Sequence, residues 1–99
     1  MAVNCTSLEE VRTHIDRLDQ QIVTLLAERG AYVSQAARFK KDADSVKAPQ
    51  RVEQVIAKVR GISQAVGANP EVTEQVYRAM IAAFIQQELA EHAALTETR

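Results

Sequence analysis

The stretch from Leu25 to Lys41, LLAERGAYVSQAARFKK, decides how the N-terminal part of the chain folds. Counted in helical steps, the next position of the apolar row that leads into it is occupied by Arg29, and Lys40, eleven residues later, returns to nearly the same angle. The row recurs at spacings of three and four and consists of Leu8, Val11, Ile15, Leu18, Ile22 and Leu25. A helix face that should exclude water therefore carries two cations.

The apolar period predicts a first helix over residues 7–41, because no proline interrupts it. Thr6 or Ser7 supplies a hydroxyl cap, and Glu9 and Glu10 place acid in the first turn. Such a helix is about 50 Å long, which exceeds the width of a compact chain of this size, so it must pack against something equally long. A break at Gly30, which costs about 1 kcal/mol inside a helix, is the alternative.

The rest of the chain predicts a turn and two more helices. Residues 42–50 have turn composition, and helices follow over residues 50–66 and 70–95, the last with Asn69 as cap and Pro70 in its first turn. We expect these helices to bury Val52, Val55, Ile56, Val59, Ile62, Val66, Val76, Tyr77, Met80, Ile81, Phe84, Ile85 and Leu89. Strand alternation is missing, so the class is all-α, with residues 1–99 as a single domain.

Composition excludes several classes of protein. The chain has 99 residues with 12 basic and 13 acidic side chains, a balance that argues against a nucleic-acid partner. Cys5 cannot form an internal disulfide, and His14 and His92 have no partners at ligand spacing, so we expect no metal site. No signal peptide and no apolar run long enough for a membrane span are visible, which predicts a soluble cytoplasmic protein.

Glu88 on the last helix is also a charged residue in an apolar row, as Arg29 and Lys40 are on the first helix. It falls within about 20 degrees of Tyr77 on the helical wheel, in the middle of the apolar face. A carboxylate in that position must pair with a cation or keep its proton. One interpretation of Arg29, Lys40 and Glu88 is a structural ion-pair network, but two cations against one acid also predict a small dicarboxylate ligand.

Two further arginines are candidates for the same pocket. Arg51 lies in the first turn of the second helix, where it opposes the helix dipole, although a solvated surface arginine explains it equally well. Arg12 lies about 25 Å from Arg29 along the first helix. It can therefore join that pocket only from a second subunit.

Four segments together resemble the all-helical chorismate mutase family: R-x-x-I-D-R-L-D at residues 12–19, L-L-A-E-R at 25–29, R-F-K at 38–40 and A-P-x-R at 48–51. The resemblance covers nearly the whole chain and implies a three-helix chain with a long N-terminal helix, in an intertwined homodimer. It further implies that Arg12 of the partner subunit and Arg29 bind a dianionic substrate, that Lys40 contacts a carboxylate and the ether oxygen, and that Arg51 lies nearby.

Within this family the chain looks closer to the isochorismate pyruvate-lyase branch, which the opening C-T-x-L and the loop A-P-Q-R-V resemble. Mutases generally carry D-P-x-R-E, so Ala48 and Val52 replace an aspartate and a substrate-binding glutamate. Glu88 departs from the glutamine usual at its position and must be protonated to donate a hydrogen bond. The expected activity is conversion of isochorismate to salicylate and pyruvate, with weak chorismate mutase activity. A chorismate mutase and a non-catalytic helical dimerisation module are the alternatives.

The mechanism that the resemblance implies needs no cofactor. Negative charge grows on the ether oxygen in the transition state, and Lys40 with protonated Glu88 would stabilise it, while the arginines hold the reactive conformer. The loop Asp42 to Ala48 is expected to close over the substrate.

Overall fold

The computed structural model describes residues 2–97, with side-chain surroundings given for residues 2–94. The ends of the predicted 1–99 domain, Met1, Thr98 and Arg99, lie outside this range. The described chain contains helices and no strand, so the all-α class is confirmed. It divides into two compact units, one that ends at Tyr32 and one that begins at Val33.

The first long helix, α1, spans Leu8–Ala37 and runs through Gly30 without a break. Its start is capped as the sequence predicts: the Ser7 hydroxyl accepts a hydrogen bond from the Glu10 backbone N–H at 3.1 Å. The Glu10 carboxylate reaches back and accepts from the Thr6 backbone N–H at 3.2 Å. These reciprocal bonds fix where the chain enters the helix.

The helix ends at Ala37, four residues before the predicted end at Lys41. The backbone N–H groups of Arg38, Phe39 and Lys40 bond to carbonyls three residues earlier, at 3.0–3.4 Å, which tightens the last turn and stops the α-helix. Lys40 therefore lies beyond the helix, and the wheel angle predicted for it is wrong. Its position is set by the turn.

The predicted turn between the first two long helices contains a short helix, α2, over Ala43–Lys47. Asp42 caps it by accepting hydrogen bonds from the Ser45 backbone N–H at 2.8 Å and the Ser45 hydroxyl at 2.9 Å. These bonds lower the pKa of the Asp42 carboxyl. Val46 is buried, so this segment is packed rather than loose. A helix of five residues is too short to show a period in the sequence.

Helices α3 (Pro49–Val66) and α4 (Pro70–Glu97) pack against each other, and α2 contacts α4. Ala48 joins α2 to α3 in the left-handed region, with φ 36° and ψ 63°. Gly67, with φ 78°, ends α3, and the Asn69 side chain accepts from the Glu71 N–H at 3.0 Å to start α4, as predicted. The apolar core of the second unit consists of Ala37, Val46, Ile56, Val59 and Ile81.

Three of the side chains expected in the core are exposed: Ile62, Val66 and Val76. Near the α3–α4 connection a polar contact replaces apolar packing, because the buried Ser63 hydroxyl donates to the Thr73 hydroxyl at 2.6 Å. The predicted face of α3 was therefore right in its first half and wrong towards its C-terminal end.

Ion pairs fix the register of α3 against α4. Arg78 binds Glu53 of α3 through two hydrogen bonds of 2.9 Å, and Arg60 binds Glu71 and Glu74 of α4 at 2.7 and 2.6 Å. These arginines lower the pKa of the Glu53 and Glu74 carboxyls. Their contribution to stability is present above the ordinary carboxyl pKa and is lost as the pH falls through the lowered one.

The apolar row of α1 remains exposed in the first unit. Exposed members run from Leu8 through Val11, Ile15, Leu18 and Ile22 to Leu25. The sequence predicted a face that excludes water, and the single chain leaves that face uncovered. In the described residues, no helix is long and apolar enough to cross a membrane.

Candidate active site

The centre of the candidate site is an ion pair between Lys40 and Glu88 in the second unit. The Lys40 ammonium donates to Glu88 Oε2 at 2.6 Å. The Glu88 side chain is 4% exposed and that of Lys40 is 25% exposed, so the pair is buried at its acidic end and reaches the surface at its basic end. Residues 48 positions apart meet because α4 passes the turn that follows α1.

A second contact from α4 holds the backbone of the same lysine. His92 Nε2 lies 3.0 Å from the Lys40 carbonyl oxygen, and a carbonyl can only accept, so the ring is assigned the tautomer with a proton on Nε2. Glu88 and His92 are one helical turn apart, so they present side chains on the same face of α4. Helix α4 thus contacts both the side chain and the main chain of Lys40.

Sequence reasoning missed His92, for which it found no partner. The spacing of four residues from Glu88 was the available signal, since it places both side chains on one helix face.

A third contact lies beside them: the Ser34 hydroxyl donates to Glu91 Oε1 at 3.0 Å, and the Gln87 amide donates to the same oxygen at 3.3 Å. The bond between Ser34 and Glu91 connects the last turns of α1 to α4.

Of the two alternatives for Glu88, pairing with a cation or keeping its proton, the structure shows the pair. The predicted surplus of buried positive charge is not seen at Lys40, where one acid of the same chain matches one base. The interpretation as a structural ion pair therefore describes this contact.

The other predicted site residues lie on α3 and α1. Val52 is half-buried and Arg51 exposed in the first turn of α3. Arg12 is exposed and Arg29 half-buried on α1, in the first unit. Because α1 is one unbroken helix, the backbones of these two arginines are separated by about 25 Å, so the expected distance along the helix stands.

Comparison with known proteins identifies the family. Residues 11–89 match the family described as chorismate mutase type II. The chain belongs to this family and is an enzyme of this type. The matched range includes all six predicted site residues, Arg12, Arg29, Lys40, Arg51, Val52 and Glu88.

The chain is also similar to an individual curated protein. Over 86 residues the chain is 30% identical to the isochorismate pyruvate lyase of Pseudomonas aeruginosa. The aligned part covers 87% of this chain and 85% of that protein, so the similarity extends over almost the whole fold.

Because Glu88 is more buried than Lys40, we expect unequal losses of folding stability when one or the other partner is removed. Lys40→Met leaves a buried carboxylate without its cation and should lower the free energy of unfolding by about 3 kcal/mol. Glu88→Leu leaves an ammonium that can turn to water, so its loss should be clearly smaller. The double variant should regain most of the Lys40→Met loss. Urea unfolding at one fixed protein concentration measures all three.

Glu53→Gln, in the exposed pair with Arg78, is the matched control and should change stability less than Lys40→Met. If Lys40→Met leaves stability unchanged, Glu88 is not charged in the folded chain and the ion pair described here is wrong.

Proposed function

We propose that this enzyme is an isochorismate pyruvate-lyase, which converts isochorismate to salicylate and pyruvate, with weak chorismate mutase activity. The observation that carries the proposal is the similarity to the Pseudomonas aeruginosa lyase over 87% of the chain. Val52 supports it, since an apolar, half-buried side chain stands at the position where mutases of the family generally carry a glutamate.

In the reaction a ring hydrogen moves to the methylene carbon of the enolpyruvyl group while the ether C–O bond to the ring breaks, so that pyruvate leaves and the ring becomes aromatic salicylate. It needs no nucleophile, and we propose that it needs no cofactor. What the protein must supply is a fixed substrate conformation and a donor for the ether oxygen, on which negative charge grows. Lys40 is the group in the second unit suited to that donation, because its ammonium has three protons and lies at the edge of the buried region.

Glu88 then has two states. In the first it accepts a hydrogen bond from the Lys40 ammonium. When the dianionic substrate binds, its carboxylate competes for Lys40 and leaves Glu88 buried beside new negative charge. A buried carboxylate without a cation is costly, so we propose that Glu88 takes up a proton at this step and donates it in a hydrogen bond to the ether oxygen.

Substrate binding also requires the arginines, and we propose that they act in a homodimer in which Arg12 comes from the partner subunit. The support is the distance of about 25 Å between Arg12 and Arg29 on one helix and the exposed apolar row of α1. A second copy of α1 has the length and the complementary row to cover that face. Arg29 and Arg51 are proposed as substrate-binding residues within one chain.

Two further parts of the proposal concern the chain as a whole. We propose that residues 1–99 act as one chorismate mutase-like domain. A single cysteine and a small-molecule substrate fit a cytoplasmic location, which we also propose.

Chorismate mutase activity, the conversion of chorismate to prephenate, is the second candidate. The name of the matched family favours it. The two substrates are similar dianions, so one pocket can act on both, and the ratio of the two activities decides which is the main one.

Assays of both substrates separate the two candidates. With isochorismate the purified enzyme should release salicylate, followed by its fluorescence, with kcat/KM at least about tenfold above that for chorismate, because Val52 offers no acceptor to chorismate's hydroxyl. Val52→Glu should shift the ratio towards chorismate. Val55→Glu, one helical turn away, is the control and should not favour chorismate. Preference for chorismate in the unmodified chain would overturn the lyase proposal.

Mixing two inactive variants tests the contribution of the partner subunit. Arg12→Ala and Lys40→Met remove groups from opposite chains of the same proposed site. Half of the randomly mixed dimers then contain one complete site out of two, so mixing equal amounts and allowing exchange should restore about a quarter of the unmodified activity. Arg29→Ala with Lys40→Met is the control pair. Because both changes fall on one chain's side of the site, mixed dimers of this pair contain no complete site and stay inactive. If mixing Arg12→Ala with Lys40→Met restores nothing although the chains exchange, Arg12 does not act across the interface.

The protonation of Glu88 predicts a pH dependence. The reaction requires the protonated acid, so kcat/KM should fall as the pH rises, by about tenfold per pH unit where the acid limits the rate. Glu88→Gln donates through its amide at every pH and should flatten the profile. Glu91→Gln, three residues along α4, should keep the unmodified slope. An identical slope in Glu88→Gln would reject the assignment.

A further inference from the structure

A group of potential metal ligands lies at the start of α1, and none of its members has a role in the proposed reaction. Cys5, Glu10 and His14 each offer one ligand atom, and these atoms all lie within 4.8 Å of one another. We propose that the three residues form a binding site for a divalent transition-metal ion, with Zn²⁺ as the best fit. The family match begins at residue 11, so Cys5 and Glu10 lie outside it.

The local fold explains the proximity. Glu10 and His14 are four residues apart on α1, so their side chains project from the same face one turn apart. Cys5 lies just before the helix, in the segment whose direction is fixed by the bonds of Thr6 and Ser7 to Glu10. All three ligand residues are half-buried. They are therefore shielded from solvent without being inaccessible to an ion.

The spacing of the ligand atoms is close to what a tetrahedral ion requires. With metal–ligand bonds of about 2.0 to 2.3 Å, the ligand atoms around Zn²⁺ are separated by about 3.3 to 3.8 Å. Atoms that already lie within 4.8 Å need a movement of about 1 Å, which side-chain rotation supplies. The backbone does not have to change.

The charges and the surroundings of the ligands suit a soft divalent ion. A thiolate and a carboxylate together balance two positive charges, and imidazole completes a set that favours Zn²⁺ over Mg²⁺ or Ca²⁺. Glu10 is already held: the Thr6 backbone N–H and the Thr6 hydroxyl both donate to its Oε2, at 3.2 and 3.1 Å. Hydrogen bonds of this kind orient a carboxylate ligand, whose second oxygen remains available.

A groove of about 870 Å³ adjoins the group and gives the ion a route in. Cys5 and His14 line it, together with Val3, Val11 and Arg17 among others. Three protein ligands leave a fourth position on a tetrahedral ion, and we infer that it holds water from this groove. From the spacing of cysteine and histidine we expected no metal site, and Glu10 is the ligand that this proposal adds.

Titration of the metal-free full-length protein with Co²⁺ tests the site. We expect one Co²⁺ per chain, a sulfur-to-cobalt charge-transfer band from the Cys5 thiolate, and displacement by one equivalent of Zn²⁺. Cys5→Ser should abolish the band, and Glu10→Gln and His14→Ala should each weaken binding at least about tenfold. Glu9→Gln, the adjacent acid on another face, and His92→Gln should bind as the unmodified chain does.

Absence of the charge-transfer band, a band that survives in Cys5→Ser, or equal affinity in the His14→Ala variant would each overturn the proposal. Circular dichroism of every variant shows whether its helices are intact, and a variant with lost helix is replaced by its conservative partner, His14→Gln or Glu10→Asp. This titration measures metal binding and not lyase activity. It can fail while the lyase proposal stands, and the lyase proposal can fail while the metal site stands.

Discussion

The contact on which the candidate site depends is the 2.6 Å pair between Lys40 and Glu88. An acid that is 4% exposed could not remain charged in an apolar helix face without a cation close by. That requirement places the turn after α1 against α4, and the hydrogen bond between His92 and the Lys40 carbonyl holds the same turn from one helical turn away. A buried charge therefore determines the path of the chain between two helices.

The same pair is compatible with both a structural contact and the catalytic role that we propose. Within the chain it satisfies two groups that would otherwise be unpaired in a poorly hydrated place. A ligand with its own negative charge can replace Glu88 at the ammonium, since one end of the pair is accessible. Membership of the chorismate mutase type II family makes such a ligand the natural expectation. In the proposed mechanism, the same atoms stabilise the fold before the substrate binds and the transition state afterwards.

Much of the architecture could be predicted from the sequence, because period, proline and caps act locally. The bond from the Glu10 N–H to Ser7 and the Asn69 cap of α4 are interactions within one turn, and both lie where the pattern placed them. The predicted end of α1 at residue 41 was wrong, because the turn at residues 38–40 depends on packing against α4 rather than on composition. Val66 and Val76 were misplaced for a similar reason: an apolar residue near a helix end is not buried unless another element covers it.

The candidate site was predictable in part. A wheel identifies Glu88 as buried, and the structure agrees, but it cannot tell which cation meets it, since that depends on a contact between residues 48 positions apart. His92 was missed because its partner is a backbone carbonyl, which no side-chain motif reveals. Arg12, Arg29, Arg51 and Val52 remain predictions of the resemblance, since their roles require a ligand and a second chain.

The uncovered apolar row of α1 has a consequence for how the protein behaves at different dilutions. If a second chain covers that row, folding and association become one linked equilibrium, and mass action raises the melting temperature as the protein is concentrated. Turnover per chain would then decline in very dilute assays, without any change in the residues that contact the substrate.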